Sequence, residues 1–395
     1  MLIGCPLVPK TPFNTRVDAI PPSGIRRFFD LVSQRSDVIS LGVGEPDYTT
    51  PWGICHEAIM RIEDGETHYT SNQGLPALRQ CIAAKIRDHS GVAYNPETDI
   101  IVTVGASEGI DIALRAILNP GDQVIIPEPT YISYGPLVTL TGATAVPINT
   151  QNTGFIPTLD QIHAAYTPNT KALILCSPSN PTGMIIPPDR MREIAAFAQE
   201  KSIWVMVDEI YRELVYDGNF MPYLASHPDA QSHVIYIGGV SKDYAMTGWR
   251  IGYLCAPADL IHRALKIHQY SILCVPTVSQ YAAIEALRHH TSAVHRMRAD
   301  YDRRRQFIVN RLTEMGLPTA LPQGALYCFT DIRATGLSSE AFAMHVLDNY
   351  GVAVVPGHVF GAGGEGYIRC CYAVSMAHLT TALDRIAACV HDLKS

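Results

Sequence analysis

Lys242 follows the apolar run at 234–237, and Arg250 comes eight residues later, after the turn residues Thr247 and Gly248. An amine at the carboxyl end of a strand, walled by apolar and aromatic residues, is disfavoured in its charged form and suited to act as a nucleophile or to form a Schiff base. A lone lysine in that position is more often a solvated charge. The Thr-Gly turn changes the balance, because it lets the chain double back and aim a guanidinium near the amine. An amine and a guanidinium together point to a ligand with a carbonyl and a phosphate, the two groups of pyridoxal phosphate.

The elements that must position this pair are strands, each ending in a polar or small residue. The run at 99–104 breaks at Gly105-Ala106-Ser107, and a helical pattern is expected from Ser107 to Asn119-Pro120-Gly121. Free amides at such a helix start, with no side-chain bulk, form an anion cradle, although many α/β turns of this kind hold nothing. The apolar run at 123–126 precedes Tyr131, which as an aromatic past a strand end can simply be core. The strand at 171–176 leads to Asn180-Pro181-Thr182-Gly183, a turn signal in its own right. The apolar run at 203–207 ends in Asp208-Glu209-Ile210-Tyr211, where Asp208 alone reads first as a helix N-cap. A short strand at 38–41 runs into Gly42-Val43-Gly44-Glu45-Pro46-Asp47, a tight turn. Tyr69 lies on a loop ending at Gly74. The apolar strand at 367–373 contains Arg369, and a buried arginine with no local anion needs one from elsewhere. The segment at 20–32 reads as a turn and a short amphipathic helix. After Arg250 the pattern reads as helical through the 280s, and the charged segment at 296–311 suits a long exposed helix. Strands at 324–329 and 352–355 flank a helix at 339–349.

The string Ser-Lys-x-x-x-Met-Thr-Gly-Trp-Arg-Ile-Gly-Tyr, residues 241–253, closely resembles the lysine signature of the class I/II aminotransferases, which are fold type I pyridoxal phosphate enzymes. The resemblance extends over nearly the whole chain through the Gly-Glu-Pro-Asp, Asn-Pro-Thr-Gly and Asp208 to Tyr211 stretches. It implies that Lys242 carries the cofactor as a Schiff base and moves the proton, with Asp208 partnering the pyridinium nitrogen. It further implies that Tyr131 stacks on the ring, Asn180 and Tyr211 bond the ring oxygen, and Gly105, Ala106, Ser107, Ser241 and Arg250 surround the phosphate. Gly44, Tyr131, Asn180 and Arg369 are implied on the substrate side, Arg369 and Asn180 at its carboxylate. Tyr69 is implied to reach the phosphate of the other subunit, making the enzyme a homodimer with shared active sites. One departure is Gly239, where many relatives carry a serine that donates to phosphate; Ser241 is the candidate replacement.

The chain has 395 residues, 47% hydrophobic and 17% charged, enough for two domains. By resemblance the fold is α/β: a large domain at 47–285 with a mainly parallel seven-stranded sheet, and a small α+β domain from 1–46 and 286–395. The mild net charge of −7, unclustered, argues against nucleic acid or an anionic membrane as partner. Ten scattered cysteines without a CxxC pair read as reduced core residues, with no metal site expected. With no membrane-length apolar segment and no signal-like leader at the N-terminus, a cytoplasmic protein is expected. The expected reaction moves an amino group between an L-amino acid and a 2-oxo acid such as 2-oxoglutarate. Pocket candidates are aromatic or apolar (Ile20, Tyr131, Tyr327, Phe360), so neutral or aromatic donors are expected over aspartate, although Arg26 and Arg27 could reach in from the N-terminal segment. A carbon–sulfur β-lyase would use the same lysine, aspartate and arginine. A ligand-sensing domain of a transcription regulator would need an attached DNA-binding region, for which there is neither spare length nor a basic stretch.

Overall fold

The computed structural model describes residues 13–22, 24, 35, 37–218, 224–227, 230 and 232–394. Most of the helix expected at 20–32, including Arg26 and Arg27, lies outside them. Twelve strands occur among the described residues: β1 (Ile39–Ser40), β2 (Ile100–Val104), β3 (Gln123–Glu128), β4 (Thr144–Asn149), β5 (Thr170–Cys176), β6 (Trp204–Asp208), β7 (Val234–Gly239), β8 (Ile251–Cys255), β9 (Tyr327–Asp331), β10 (Val352–Ala353), β11 (Val355–Pro356) and β12 (Tyr367–Cys371). Seven form one sheet in the order β2-β8-β7-β6-β5-β3-β4. All its pairings are parallel except those of β8, which runs antiparallel to both β2 and β7.

The central strands are apolar throughout because both faces are covered. In β6, Val205 and Val207 join one buried cluster while Met206 joins the cluster on the opposite face; in β7, Tyr236 and Ile237 divide the same way. Each such Val or Ile contributes on the order of 1.5–3 kcal/mol by leaving water. Continuous apolar runs are the signature of a parallel sheet between helical layers. A third core, including Leu41, Phe342, Tyr372 and Leu383, surrounds the antiparallel sheet β11-β12-β9. β1 and β10 pair in parallel beside it, Ile39 opposite Val352.

Three expectations need correction. The segment after Arg250 is not helical at first: it forms the buried strand β8, and helix begins only at Ala258–Ser271. Five apolar residues have no period that separates strand from helix; antiparallel pairing on both sides, Gly238 to Tyr253 and Thr103 to Gly252, makes this stretch a strand. The helix after β2 starts at Gly105, two residues before Ser107, and spans Gly105–Ile117. The charged helix Thr291–Glu314 is not simply exposed, since Arg304 and Arg305 are buried. Arg304 pairs with Asp47 at 2.8 Å and Asp300 at 2.6 Å, and Arg305 with Asp302 at 2.6 Å and Asp217 at 2.7 Å. Buried guanidinium groups are tolerated because each charge is matched, and Asp47 thereby ties the Gly-Glu-Pro-Asp turn to this helix. Among the described residues no helix is long and apolar enough to cross a membrane.

Candidate active site

Register brings the strand ends together. Cys176 pairs with Asp208 and Asp208 with Ile237, so β5, β6 and β7 finish side by side, and their following turns open onto one cavity. It measures about 640 Å³, within the roughly 300–1,000 Å³ usual for small-molecule sites. Lining it are Gly44, Ala106, Ser107, Tyr131, Asn180, Asp208, Tyr211, Ser241, Lys242, Arg250 and Arg369. Gly105 lies directly behind, at the start of the helix.

Lys242 Nζ is half-buried and donates to the Gly44 carbonyl at 2.7 Å. Burial lowers its pKa from 10.5 to about 8; Arg369 and Arg250 push the same way, while Cys371 and Glu45 oppose. A neutral amine is therefore accessible near neutral pH, as nucleophilic chemistry requires.

Asp208 closes β6 and is buried. Its Oδ2 accepts from Tyr134 Oη at 2.8 Å and its Oδ1 from the Ile210 N–H at 3.2 Å. Burial raises its pKa, against which those two hydrogen bonds and the charge of Lys242 work. Tyr131 meets Tyr134 edge-to-face, with ring centroids 5.5 Å apart.

At the cradle, Gly105 has φ +73°, and a Cβ there would collide with the Arg250 guanidinium. Glycine serves both the left-handed backbone and the close approach. Arg250 is itself left-handed, at φ 57° and ψ 51°; its carbonyl accepts from Gly105 N at 3.1 Å, and its Nη1 donates to Thr247 O at 2.9 Å. Such backbone conformations are costly for a non-glycine residue and gather where a ligand is held. Gly239 sits in a tight place: a Cβ would lie 2.7 Å from Ile210 Cδ1 and 3.1 Å from Ile251 O, so a serine there would require Ile210 to move. Ser241, by contrast, lines the cavity.

Arg369 is buried in β12, with no carboxylate beside it among the described residues. Its Nη1 donates to Asn180 Oδ1 at 2.9 Å and its Nη2 to Gly42 O at 2.6 Å, while Nε has no partner. Its guanidinium lies 4.4 Å from the Tyr327 ring centroid and 4.9 Å from that of Phe360.

The family model for aminotransferases of class I and II matches residues 36–386. The chain belongs to that family. It is 46% identical to a putative aminotransferase of Bacillus subtilis, over 95% of this chain and 97% of that one. It is also 42% identical to an aspartate aminotransferase of Pyrococcus abyssi, over 96% and 99%. Among solved structures it superposes on an aromatic aminotransferase from Pyrococcus horikoshii with a TM-score of 0.89 at 40% identity, covering 93% of this chain and 99% of that one.

The aminotransferase is thus a fold type I enzyme whose family uses pyridoxal phosphate, and its activity is transamination. Its donor set suits that group on physical grounds: a depressed lysine for the aldehyde, a side-chain-free helix start backed by a guanidinium for the phosphate, and a buried carboxylate for the ring nitrogen. Arg369, a cavity-lining guanidinium with no carboxylate beside it among the described residues, suits an incoming carboxylate. Three predicted residues are not gathered in. Tyr69 is 84% exposed and does not line this chain's cavity. Phe360 is buried behind Arg369 without lining the cavity, and Ile20 does not line it either. The aminotransferase sequence gave no sign of Tyr134 as the partner of Asp208. Its one local cue is its place three residues after Tyr131. Tyr327, read only as a pocket aromatic, also proves to be hydrogen-bonded to Tyr211.

Proposed function

We propose that this enzyme moves an amino group between a neutral or aromatic L-amino acid and a 2-oxo acid such as 2-oxoglutarate. It acts as a cytoplasmic homodimer with shared active sites. When bound, pyridoxal phosphate supplies the aldehyde and the electron-accepting ring. Gly105, Ala106, Ser107, Ser241 and Arg250 hold its phosphate, Tyr131 packs on the ring, and Asn180 and Tyr211 bond the ring oxygen. Asp208 holds a proton at the ring nitrogen. Lys242 Nζ takes the proton from the substrate Cα and delivers it to the cofactor's C4′, as general base and then acid. Arg369, with Asn180, binds the α-carboxylate bidentately, with Gly44 on the substrate side; this fixes which Cα bond faces the lysine.

The observation that carries the substrate class is the charge of the cavity wall. Among the described residues its only cations are Lys242, Arg250 and Arg369, all with roles already given. Ile110, Tyr131, Ile132 and Tyr327 make up much of the remainder. A distal carboxylate held there would lack a partner, whereas an apolar or aromatic side chain loses nothing. Aspartate is the second reading, because relatives at 42% and 40% identity are named an aspartate and an aromatic-amino-acid aminotransferase. Support for the dimer comes from large apolar side chains left in the open. Trp52 is 70% exposed, and Ile59, Met60 and Ile62 are exposed on the same helix, Trp52–Glu63; exposed apolar side chains gathered on one element mark interfaces. Tyr69 then completes the partner's site. The separate core around β9 and β12 supports a division into a large domain at 47–285 and a small one from 1–46 and 286–395.

Single-turnover rates for phenylalanine, methionine, alanine, glutamate and aspartate test the substrate class. Faster reaction of a neutral or aromatic donor than of aspartate is expected, and a preference for aspartate over every neutral donor overturns it. Pyruvate release from a cysteine conjugate without any 2-oxo acid would instead identify a carbon–sulfur lyase.

A further inference from the structure

Tyr327 occupies a position that the roles above leave unused. Its hydroxyl lies 2.8 Å from Tyr211 Oη and 3.4 Å from Gly44 O. That same carbonyl accepts from Lys242 Nζ at 2.7 Å. Two phenols and one carbonyl hold two protons between them, and the carbonyl can only accept. While Tyr211 has no other acceptor, its proton can point to Tyr327 and the proton of Tyr327 to Gly44. Once Tyr211 spends its proton on an acceptor in the cavity, its oxygen is free to receive one. The proton of Tyr327 then turns from the 3.4 Å contact to the 2.8 Å one. Burial keeps both phenols protonated, raising Tyr211 well above its ordinary value and moving Tyr327 in the same direction.

We propose that Tyr327 is a positioning residue that acts through Tyr211: by donating to Tyr211 Oη, it strengthens the hydrogen bond from Tyr211 to the cofactor's ring oxygen and so sets the proton affinity of the Lys242 linkage. This rests on the assignment of Tyr211 to the ring oxygen. A hydroxyl that receives a hydrogen bond donates a stronger one, and a stronger donor favours the anionic form of its acceptor. The ring oxygen is anionic when the linkage is unprotonated, so Tyr327 favours that form and lowers the linkage's pKa. The charged and titratable groups facing Lys242 are Glu45, Arg250, Arg369 and Cys371, together with Asp208 across the cavity. Those facing Tyr327 are Tyr131, Tyr211, Arg369 and Cys371. None of them changes in Tyr327→Phe, which also retains the ring against Arg369.

The test is a spectrophotometric pH titration of the visible cofactor band in holoenzyme, for the unaltered protein, Tyr327→Phe, Tyr211→Phe and the double variant. Tyr327→Phe is expected to raise the midpoint by about half a unit, roughly threefold in the proton equilibrium, and to add no shift once Tyr211 is Phe. An unchanged midpoint in Tyr327→Phe overturns the proposal, as does an equal shift in both backgrounds. A shift in neither phenylalanine variant at Tyr211 or Tyr327 removes the assignment of Tyr211 to the ring oxygen. Absence of any band in the unaltered protein removes the assignment of Lys242, and the proposal falls with it.

Discussion

Tyr134 Oη donates to Asp208 Oδ2 across 2.8 Å, and both residues are buried. The tyrosine begins the helix Tyr134–Thr141, while the aspartate ends β6. Burial raises the pKa of Tyr134 far above its ordinary value, so it is always the donor. In the role proposed for Asp208, ionised opposite a pyridinium nitrogen, this bond supports the charge, because burial alone pushes Asp208 toward its neutral form.

Tyr134→Phe should therefore raise the pKa of Asp208 further and move the acid limb of kcat/KM to higher pH. A hydrogen bond to a charged group contributes about 1.5–3 kcal/mol, so the half-reaction at neutral pH should slow by roughly tenfold or more. The pH profile checks this: an acid limb in the same place as in the unaltered enzyme would show that Tyr134 only fills space.

Gly105→Ala should weaken pyridoxal phosphate binding by at least about tenfold, since a Cβ meets the Arg250 guanidinium and the left-handed backbone disfavours it. Binding of pyridoxal, which has no phosphate, should change little. Equilibrium titration of cofactor-free protein with each compound separates the two, and equal losses would place the fault in the fold instead of the cradle.

Reaction of cofactor-free protein with pyridoxal phosphate should accelerate as pH rises from 6 and level off above about 8, where Lys242 has lost its proton. The same group affects stability with a definite sign. Between about 8 and 10.5 the unfolded chain holds the proton and the folded one does not, so stability gains from this group as pH rises through that window, and the gain is absent below it. Stopped-flow absorbance and thermal unfolding of cofactor-free protein read the two effects. In Lys242→Ala neither the visible band nor this part of the pH dependence should remain.

Much of the candidate site was legible because several of its residues stand at or just past a strand end, beside local punctuation. Lys242 follows β7, Asp208 ends β6, Asn180 opens a turn after β5, and Gly105 breaks the chain after β2. These are local signals, carried by a few neighbouring residues, and the shared family motif gives them an order. Arg369 was recognised differently, as a charge inside an apolar strand that needed a partner from outside its own segment.

The sequence by itself determined most of the strand ends around the candidate site, the type of chemistry and the family. The tertiary structure alone decided who touches whom. Tyr134 and Asp208 are 74 residues apart, and Tyr211 and Tyr327 are 116 apart; no local pattern encodes either meeting. β8 is a strand only because β7 and β2 offer it hydrogen bonds on both edges. Gly239 looked like a missing phosphate donor, and only the fold shows that Ile210 and the β8 backbone crowd that position. Local propensity is set by a residue and its near neighbours, while sheet order and packing are set by the free energy of the whole chain, so contacts across the sheet emerge only when the fold closes.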